Sequence, residues 1–265
     1  MRIHHFNCGT AGIGLVTHCL LVETSDGLVL IDTGFGLECV RDPGRMVGMS
    51  RFLVRLALRE EETAVRRIQA LGLDPADVHH IVLTHLDSDH TGGLVDFPGA
   101  AVHVHGPELR AARAPKLAER TRYRPLHWAH GPRWVVNEVA AEEEWFGLPA
   151  VRDLPGLPPE FVVIPLYGHS RGHAGVAIDT GSGWLLHAGD AFLTRADIDP
   201  ARPDLPRANR IYPYFGADLP AQRATRERLR DLVRRHGDEI EIFTSHDPKT
   251  FARLSGDTAG IAEQP

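Results

Sequence analysis

The run Thr84-His85-Leu86-Asp87-Ser88-Asp89-His90 places two imidazoles and two carboxylates within seven residues. Divalent ions such as Zn²⁺, Mn²⁺ and Fe²⁺ take imidazole nitrogen and carboxylate oxygen as ligands. The run follows directly on His80-Ile81-Val82-Leu83, an apolar stretch that reads as a buried strand. Solubility gives no reason for four ionisable side chains at the end of a buried strand. The plain alternative is a polar turn that happens to be rich in His and Asp.

Three further polar punctuations follow strand-like apolar runs. Phe161-Val162-Val163-Ile164-Pro165-Leu166 leads to Gly168-His169-Ser170-Arg171-Gly172-His173, Trp184-Leu185-Leu186-His187-Ala188 to Gly189-Asp190, and Ile240-Glu241-Ile242-Phe243-Thr244 to Ser245-His246-Asp247. In layered α/β proteins, ligands gather outside the carboxyl ends of the strands. Four strands ending in His or Asp therefore point to one shared rim.

In this order, from Ile31-Asp32-Thr33-Gly34 to His246, the motifs resemble those of the metallo-β-lactamase fold superfamily of metal-dependent hydrolases, whose pattern is His-x-His-x-Asp-His, Gly-His, Gly-Asp and a late His. The resemblance implies an α/β fold, a four-layer αββα sandwich with a metal site at one edge. It also implies two divalent ions. The first would be held by His85, Asp87 and His169, the second by Asp89, His90 and His246, and Asp190 would bridge them. The spacing agrees, because residues two apart in an extended loop point the same way. Asp32 and His173 would stand behind the ligands and orient them.

Asp87 departs from the family pattern, which has His there. Either the first position is lost or it survives with an oxygen ligand. Zinc remains the first expectation, with Mn²⁺ or Fe²⁺ made more competitive by the harder carboxylate. Two divalent ions, three aspartates and a hydroxide sum to about zero in formal charge. With His at 87 the sum would be one unit more positive, so Asp87 implies a weaker pull on anionic substrates unless nearby arginines compensate.

The chemistry implied is attack by a hydroxide bridging the two ions on an ester or lactone of a small molecule, with Asp89 orienting the nucleophile and passing a proton to the leaving group. The layout most resembles the quorum-sensing lactonase group. Those enzymes place a Tyr three residues after the bridging Asp, where this chain has Leu193. Phe192, Tyr212 and Tyr214 are the aromatic candidates for a substrate pocket, and Arg171 for a substrate carboxylate; packing is the alternative for the two tyrosines, and an exposed structural role for Arg171. Two other classes of function stand beside the hydrolase: a di-iron redox protein, since some relatives carry a carboxylate at the position of Asp87, and a non-catalytic metal-binding effector.

Alternating apolar patterns supply the elements that hold these residues. The start reads as strands, with Ile13 to Glu23 largely apolar, Ser25-Asp26-Gly27 as a turn, and Leu28 to Ile31 as the next strand, an arrangement that fits a hairpin. Residues 36–50 read as a loop. Phe52, Leu53, Leu56, Ala57, Ala64, Ile68 and Leu71 have helical spacing, with Gly72 as the cap. Ala101 to His105 reads as a strand, Pro107 as the start of a helix, and Leu219 to His236 as the last long helix. Residues 115–150, dense in Pro and Trp, read as an inserted lid-like segment near the site within a single domain spanning 1–265.

At 265 residues the chain is long enough for a full core, and 43% hydrophobic with 24% charged residues is ordinary globular composition. The net charge of −6 argues against a general nucleic-acid surface. Three cysteines without framework spacing fit reduced thiols in a cytoplasmic protein. No apolar run approaches the ~20 residues that span a bilayer. The expected partner is a small-molecule substrate, with neither nucleic acid nor membrane, and a homodimer is left open.

Overall fold

Alternation along the strands decides which way each sheet faces, and the two sheets share one inner core. A computed structural model describes residues 1–256 apart from 13, 141–142, 200 and 202–215; counts below refer to those residues. A six-stranded sheet runs in simple order from β1 (Arg2–Ala11) through β2 (Leu15–Thr24), β3 (Gly27–Ile31), β4 (Val78–Val82) and β5 (Ala101–His105) to β6 (Arg133–Asn137). Its first three strands are an antiparallel meander, and β3 to β6 are parallel. A short hairpin pairs β7 (Glu144–Trp145) with β8 (Leu148–Pro149). The second sheet has the order β12 (Ile240–Phe243), β11 (Trp184–His187), β10 (Ala174–Asp179), β9 (Phe161–Pro165), antiparallel except for the parallel pair β11–β12.

Period-two burial builds the layers. Leu20, Val22, Val29 and Ile31 of the first sheet meet Phe161, Val163, Val176 and Ile178 of the second between the sheets. Their alternates Cys19, Leu21, Leu28 and Leu30 face outward onto Ala64, Val65 and Ile68 of the helix Ala64–Ala70 and Leu109 of the helix Gly106–Arg113. On the far side Val162, Ile164, Ala177 and Ile242 take Leu229 and Leu232 of the helix Leu219–His236. The order of layers is helix, sheet, sheet, helix, as the motifs implied. Each fully buried Leu or Ile contributes about 1.5–3 kcal/mol, so these two sheets form a stiff frame for the loops at their edge.

Three expectations need correction. Residues 52–71 do not form one helix: Arg55 and Leu58 take positive φ (50° and 42°), and they separate the short helix Ser50–Leu53 from the helix Ala64–Ala70. Apolar spacing could not foresee that Phe52 would stay 61% exposed. Residues 36–50 include two short helices, Leu37–Arg41 and Pro43–Met46. The segment 115–150 is not a lid throughout. Residues 117–128 hold two short 3₁₀ turns near the site, but Arg133–Asn137 is the edge strand beside β5, and Trp145 and Leu148 are buried in the outer core of the second sheet. Its Pro and Trp content disguised that strand and hairpin. No helix among the described residues is long and apolar enough to cross a membrane.

Candidate metal centre

Four strand ends converge on one rim. The chain leaves β4 into His85 and Asp87, and the short helix Ser88–Thr91 then carries Asp89 and His90. His169 follows β9, Asp190 follows β11, and His246 follows β12. The result is three overlapping groups, each with its ligand atoms within 4.8 Å of one another: His85, Asp87 and His169; His85, His90 and Asp190; Asp89, His90 and His246. All seven residues named from the motifs therefore meet in one place.

The side chains behind them set which imidazole nitrogen faces inward. His90 Nδ1 donates to Asp32 Oδ2 at 2.7 Å, His85 Nδ1 to Thr84 Oγ1 at 3.0 Å, and His246 Nδ1 to the Val16 carbonyl at 2.8 Å. Each Nε2 is then left to point into the cluster. Asp32 is fully buried in the left-handed region, φ 58°, and its two oxygens also take the Thr84 N–H (2.8 Å) and hydroxyl (2.7 Å). A left-handed conformation costs an L-residue about 1–2 kcal/mol, and Asp is among the few that tolerate it. His173 Nδ1 donates to the Leu166 carbonyl, and its Nε2 accepts the Asp190 N–H, both at 2.9 Å. His173 thus seats the Asp190 backbone, and no ligand group includes it.

The electrostatics of the cluster call for cations. Burial alone would raise the Asp190 carboxyl, but His246, His90 and His169 hold it well below the usual carboxylate range. Burial would likewise lower His90, yet Asp32, Asp190 and Asp89 push it well above the usual imidazole range. His246 behaves the same way, its burial outweighed mainly by Asp190 and its value raised to about 9. The Nε2 atoms of His85 and His90 and Asp87 Oδ1 are buried without a hydrogen-bond partner. Buried lone pairs among acidic groups fit divalent ions, which would satisfy them directly.

Two residues of the site were absent from the sequence reading. Glu108 is fully buried: Oε1 accepts the Leu86 N–H at 3.0 Å, and Oε2 accepts the Ser170 hydroxyl at 2.6 Å and the Gly172 N–H at 3.0 Å. It ties the loop of His85 and Asp87 to the loop of His169. Burial pushes its own carboxyl above the ordinary value. Arg122 places Nη1 2.5 Å from Asp87 Oδ2 and 2.7 Å from His169 Nε2. Its neighbour Tyr123 bridges to Asp87 through the main chain. Burial would raise Asp87, but Arg122 first and then His85 and His169 hold it well below the usual range. His169 is lowered to about 4, by burial first and then by Arg122. The available signal was weak: an acidic residue in the first turn of a helix and an arginine-rich run, both with ordinary surface explanations.

The substrate-facing expectations fare differently. The Arg171 guanidinium is committed to Glu119, at 2.8 and 2.9 Å, and to the Ala114 carbonyl at 3.0 Å. Holding a substrate carboxylate does not fit that placement. Phe192 is fully buried in the outer core of the second sheet, beside Ala191 and Ile198. An ion pair within the chain claims the first and core packing the second, and local sequence distinguishes neither from a substrate contact. Tyr212 and Tyr214 lie outside the described residues. A cavity of about 470 Å³ among Val40, Phe52, Arg55 and Leu56 is bordered by none of the seven.

The model of the metallo-beta-lactamase superfamily matches residues 12–242. The chain belongs to that superfamily. A Mycobacterium tuberculosis protein named as a probable metallo-hydrolase is 46% identical, over 98% of this chain and 84% of the relative. The N-acyl homoserine lactonase AiiB of Agrobacterium fabrum is 26% identical, over 95% and 86%. Among solved structures, an N-acyl homoserine lactone hydrolase with N-hexanoyl-L-homoserine bound at its catalytic metal centre superposes with a TM-score of 0.68 at 22% identity, covering 94% of each chain. At that identity the likeness speaks for the fold, which agrees with the layers described above.

Proposed function

We propose that this superfamily member is a metal-dependent hydrolase that opens an ester or lactone of a small molecule, with two divalent ions held among His85, Asp87, Asp89, His90, His169, Asp190 and His246. The observation that carries the reading is the convergence of these side chains from four strand ends, with Nε2 of His85, His90 and His246 all turned inward. When bound, such ions polarise an acyl oxygen and acidify the attacking water. Zinc is the first expectation, with manganese or iron favoured more than usual by the Asp87 oxygen.

The chain's own groups supply the rest. Asp89 is the most exposed of the seven, with 27% of its side chain accessible against 16% or less for the others. Its Oδ2 lies 3.4 Å from His246 Nε2. It is the carboxylate best placed to meet a substrate from solvent, take the proton of the attacking water and deliver it to the departing oxygen. Asp32, His173 and Glu108 position ligands without touching substrate. The relatives named as lactonases support a lactone as the first substrate class to try.

The test is hydrolysis of a panel containing an N-acyl homoserine lactone, an aryl ester and a phosphotriester by metal-loaded protein, followed by proton release. Turnover of the lactone or ester, abolished in Asp190→Ala and His169→Ala variants that still fold, is the expected result. Full metal loading with no turnover across the panel would overturn the hydrolase reading in favour of a non-catalytic effector.

A further inference from the structure

The two halves of the cluster differ in one respect: a cation of the chain itself is already seated in one of them. Arg122 Nη1 lies within hydrogen-bond distance of both Asp87 Oδ2 (2.5 Å) and His169 Nε2 (2.7 Å). A guanidinium only donates, so His169 Nε2 must present its lone pair to Arg122. That same lone pair faces Asp87 Oδ2 at 3.0 Å, and the carboxylate oxygen faces His85 Nε2 at 3.4 Å. Electron-rich atoms held this close need a positive charge among them, and here Arg122 provides it. An imidazole nitrogen has one lone pair, so His169 Nε2 can accept the Arg122 N–H or bind an ion, but not both. Arg122 is no mobile surface residue: 14% of its side chain is exposed, and the Tyr123–Asp87 bridge anchors its backbone beside the ligand loop. The other group, Asp89, His90 and His246, is built of carboxylate and imidazole alone.

We propose that Arg122 is a resident cation of the first ion position, so that one divalent ion binds tightly at Asp89, His90 and His246 and a second enters only by displacing the guanidinium from His169. The proposal rests on the metal-centre reading above. It also accounts for Asp87: the carboxylate that stands where relatives of this fold have His is the counterion that seats Arg122.

The test compares full-length wild type with Arg122→Met, which keeps much of the side-chain volume and removes the charge. Zinc per chain is read by elemental analysis after dialysis against buffered free zinc, and both constants by competition with a chromophoric chelator. The apparent dissociation constant rises by the inverse of the fraction of time the position is open. If the guanidinium is seated nine-tenths of the time, the weaker zinc of wild type should bind at least about tenfold tighter in Arg122→Met. Wild type should hold one zinc at concentrations where the variant holds two. Should Arg122→Met fail to fold, Asp87→His removes the counterion instead and predicts the same change. Two zinc ions bound by wild type with constants within about threefold of the variant's would overturn the role of Arg122 and leave the metal-centre reading standing. No zinc uptake by folded wild type would overturn both.

Discussion

Replacing Asp32 by Asn isolates what a residue behind the ligands contributes. Asp32 takes three hydrogen bonds: from the Thr84 N–H and hydroxyl and from His90 Nδ1. Asn tolerates the left-handed backbone that Asp32 adopts at φ 58°, so the main chain need not move. Its single carbonyl oxygen can keep the Thr84 N–H, but its NH₂ then meets Thr84 Oγ1 and His90 Nδ1. The hydroxyl can turn to accept. His90 can accept at Nδ1 only by moving its proton to Nε2, the atom that lies 3.4 Å from Asp190 Oδ1 inside the cluster. A protonated Nε2 is no ligand. The fold loses one charge-assisted hydrogen bond, about 1.5–3 kcal/mol, whereas metal affinity should fall by about 10–100-fold, the usual effect of removing a group that orients a ligating His. Calorimetric zinc titration measures the affinity, and ¹⁵N NMR of the ring identifies the protonated nitrogen. An Asp32→Asn protein with lowered melting temperature, unchanged zinc affinity and the proton still on Nδ1 would refute the tautomer argument.

Two further predictions concern the frame. At Gly172 a Cβ would stand 1.9 Å from the Glu108 nitrogen and 2.4 Å from its Cα, both backbone atoms that no rotamer change can clear. Gly172→Ala should therefore cost about 1–3 kcal/mol and weaken zinc binding by displacing the His169 loop, whereas Gly99→Ala, with nothing within 4 Å, should stay within about 0.5 kcal/mol; thermal melts and metal content check both, and equal melting temperatures would count against the tight contact. The second concerns His103 and His127, which burial chiefly lowers to about 4 from the 6.5 of an unfolded chain. The fold favours their neutral forms, so their contribution is fully present above pH 6.5 and is lost as pH falls toward 4. By pH 4 the loss reaches roughly 3 kcal/mol for each. Melting temperature should fall steeply between pH 6.5 and 5, and His127→Gln should flatten that slope; an unchanged slope would show that the charge is accommodated elsewhere.

The parts of this protein legible in sequence are those written in local patterns. Leu20 and Val22 alternate with Cys19 and Leu21, and a run apolar at every position reports a strand buried on both faces, here by the second sheet on one side and by helices on the other. The cluster of candidate ligands was legible because His85, Asp87, Asp89 and His90 sit in one loop and the other three each follow an apolar strand. The illegible parts depend on contacts across the chain. Arg122 reaches Asp87 over 35 positions, and Glu108 reaches Ser170 over 62. No spacing rule connects such pairs, and an arginine in a polar run has many uses. Arg55 and Leu58 broke an otherwise regular helical pattern by taking positive φ, a conformation that favours Gly, Asn or Asp and that neither of these side chains signals.

Asp87 and Arg122 are better understood as one unit than as two residues. A neutral imidazole at 87 would add nothing to the charge of the cluster; an aspartate with an arginine against it adds nothing either. Removing one member of a buried pair leaves the other unpaired, commonly at 3–5 kcal/mol, whereas replacing both together is often close to neutral. The weaker attraction for anionic substrates expected from Asp87 alone is therefore offset at the position where it arises. A guanidinium bonded to a ligand atom is also an anion-binding group. A second ion that displaced it from His169 would leave the guanidinium beside Asp87, so its charge would stay within the cluster. Ion occupancy and the pull on a negatively charged substrate would then rise together.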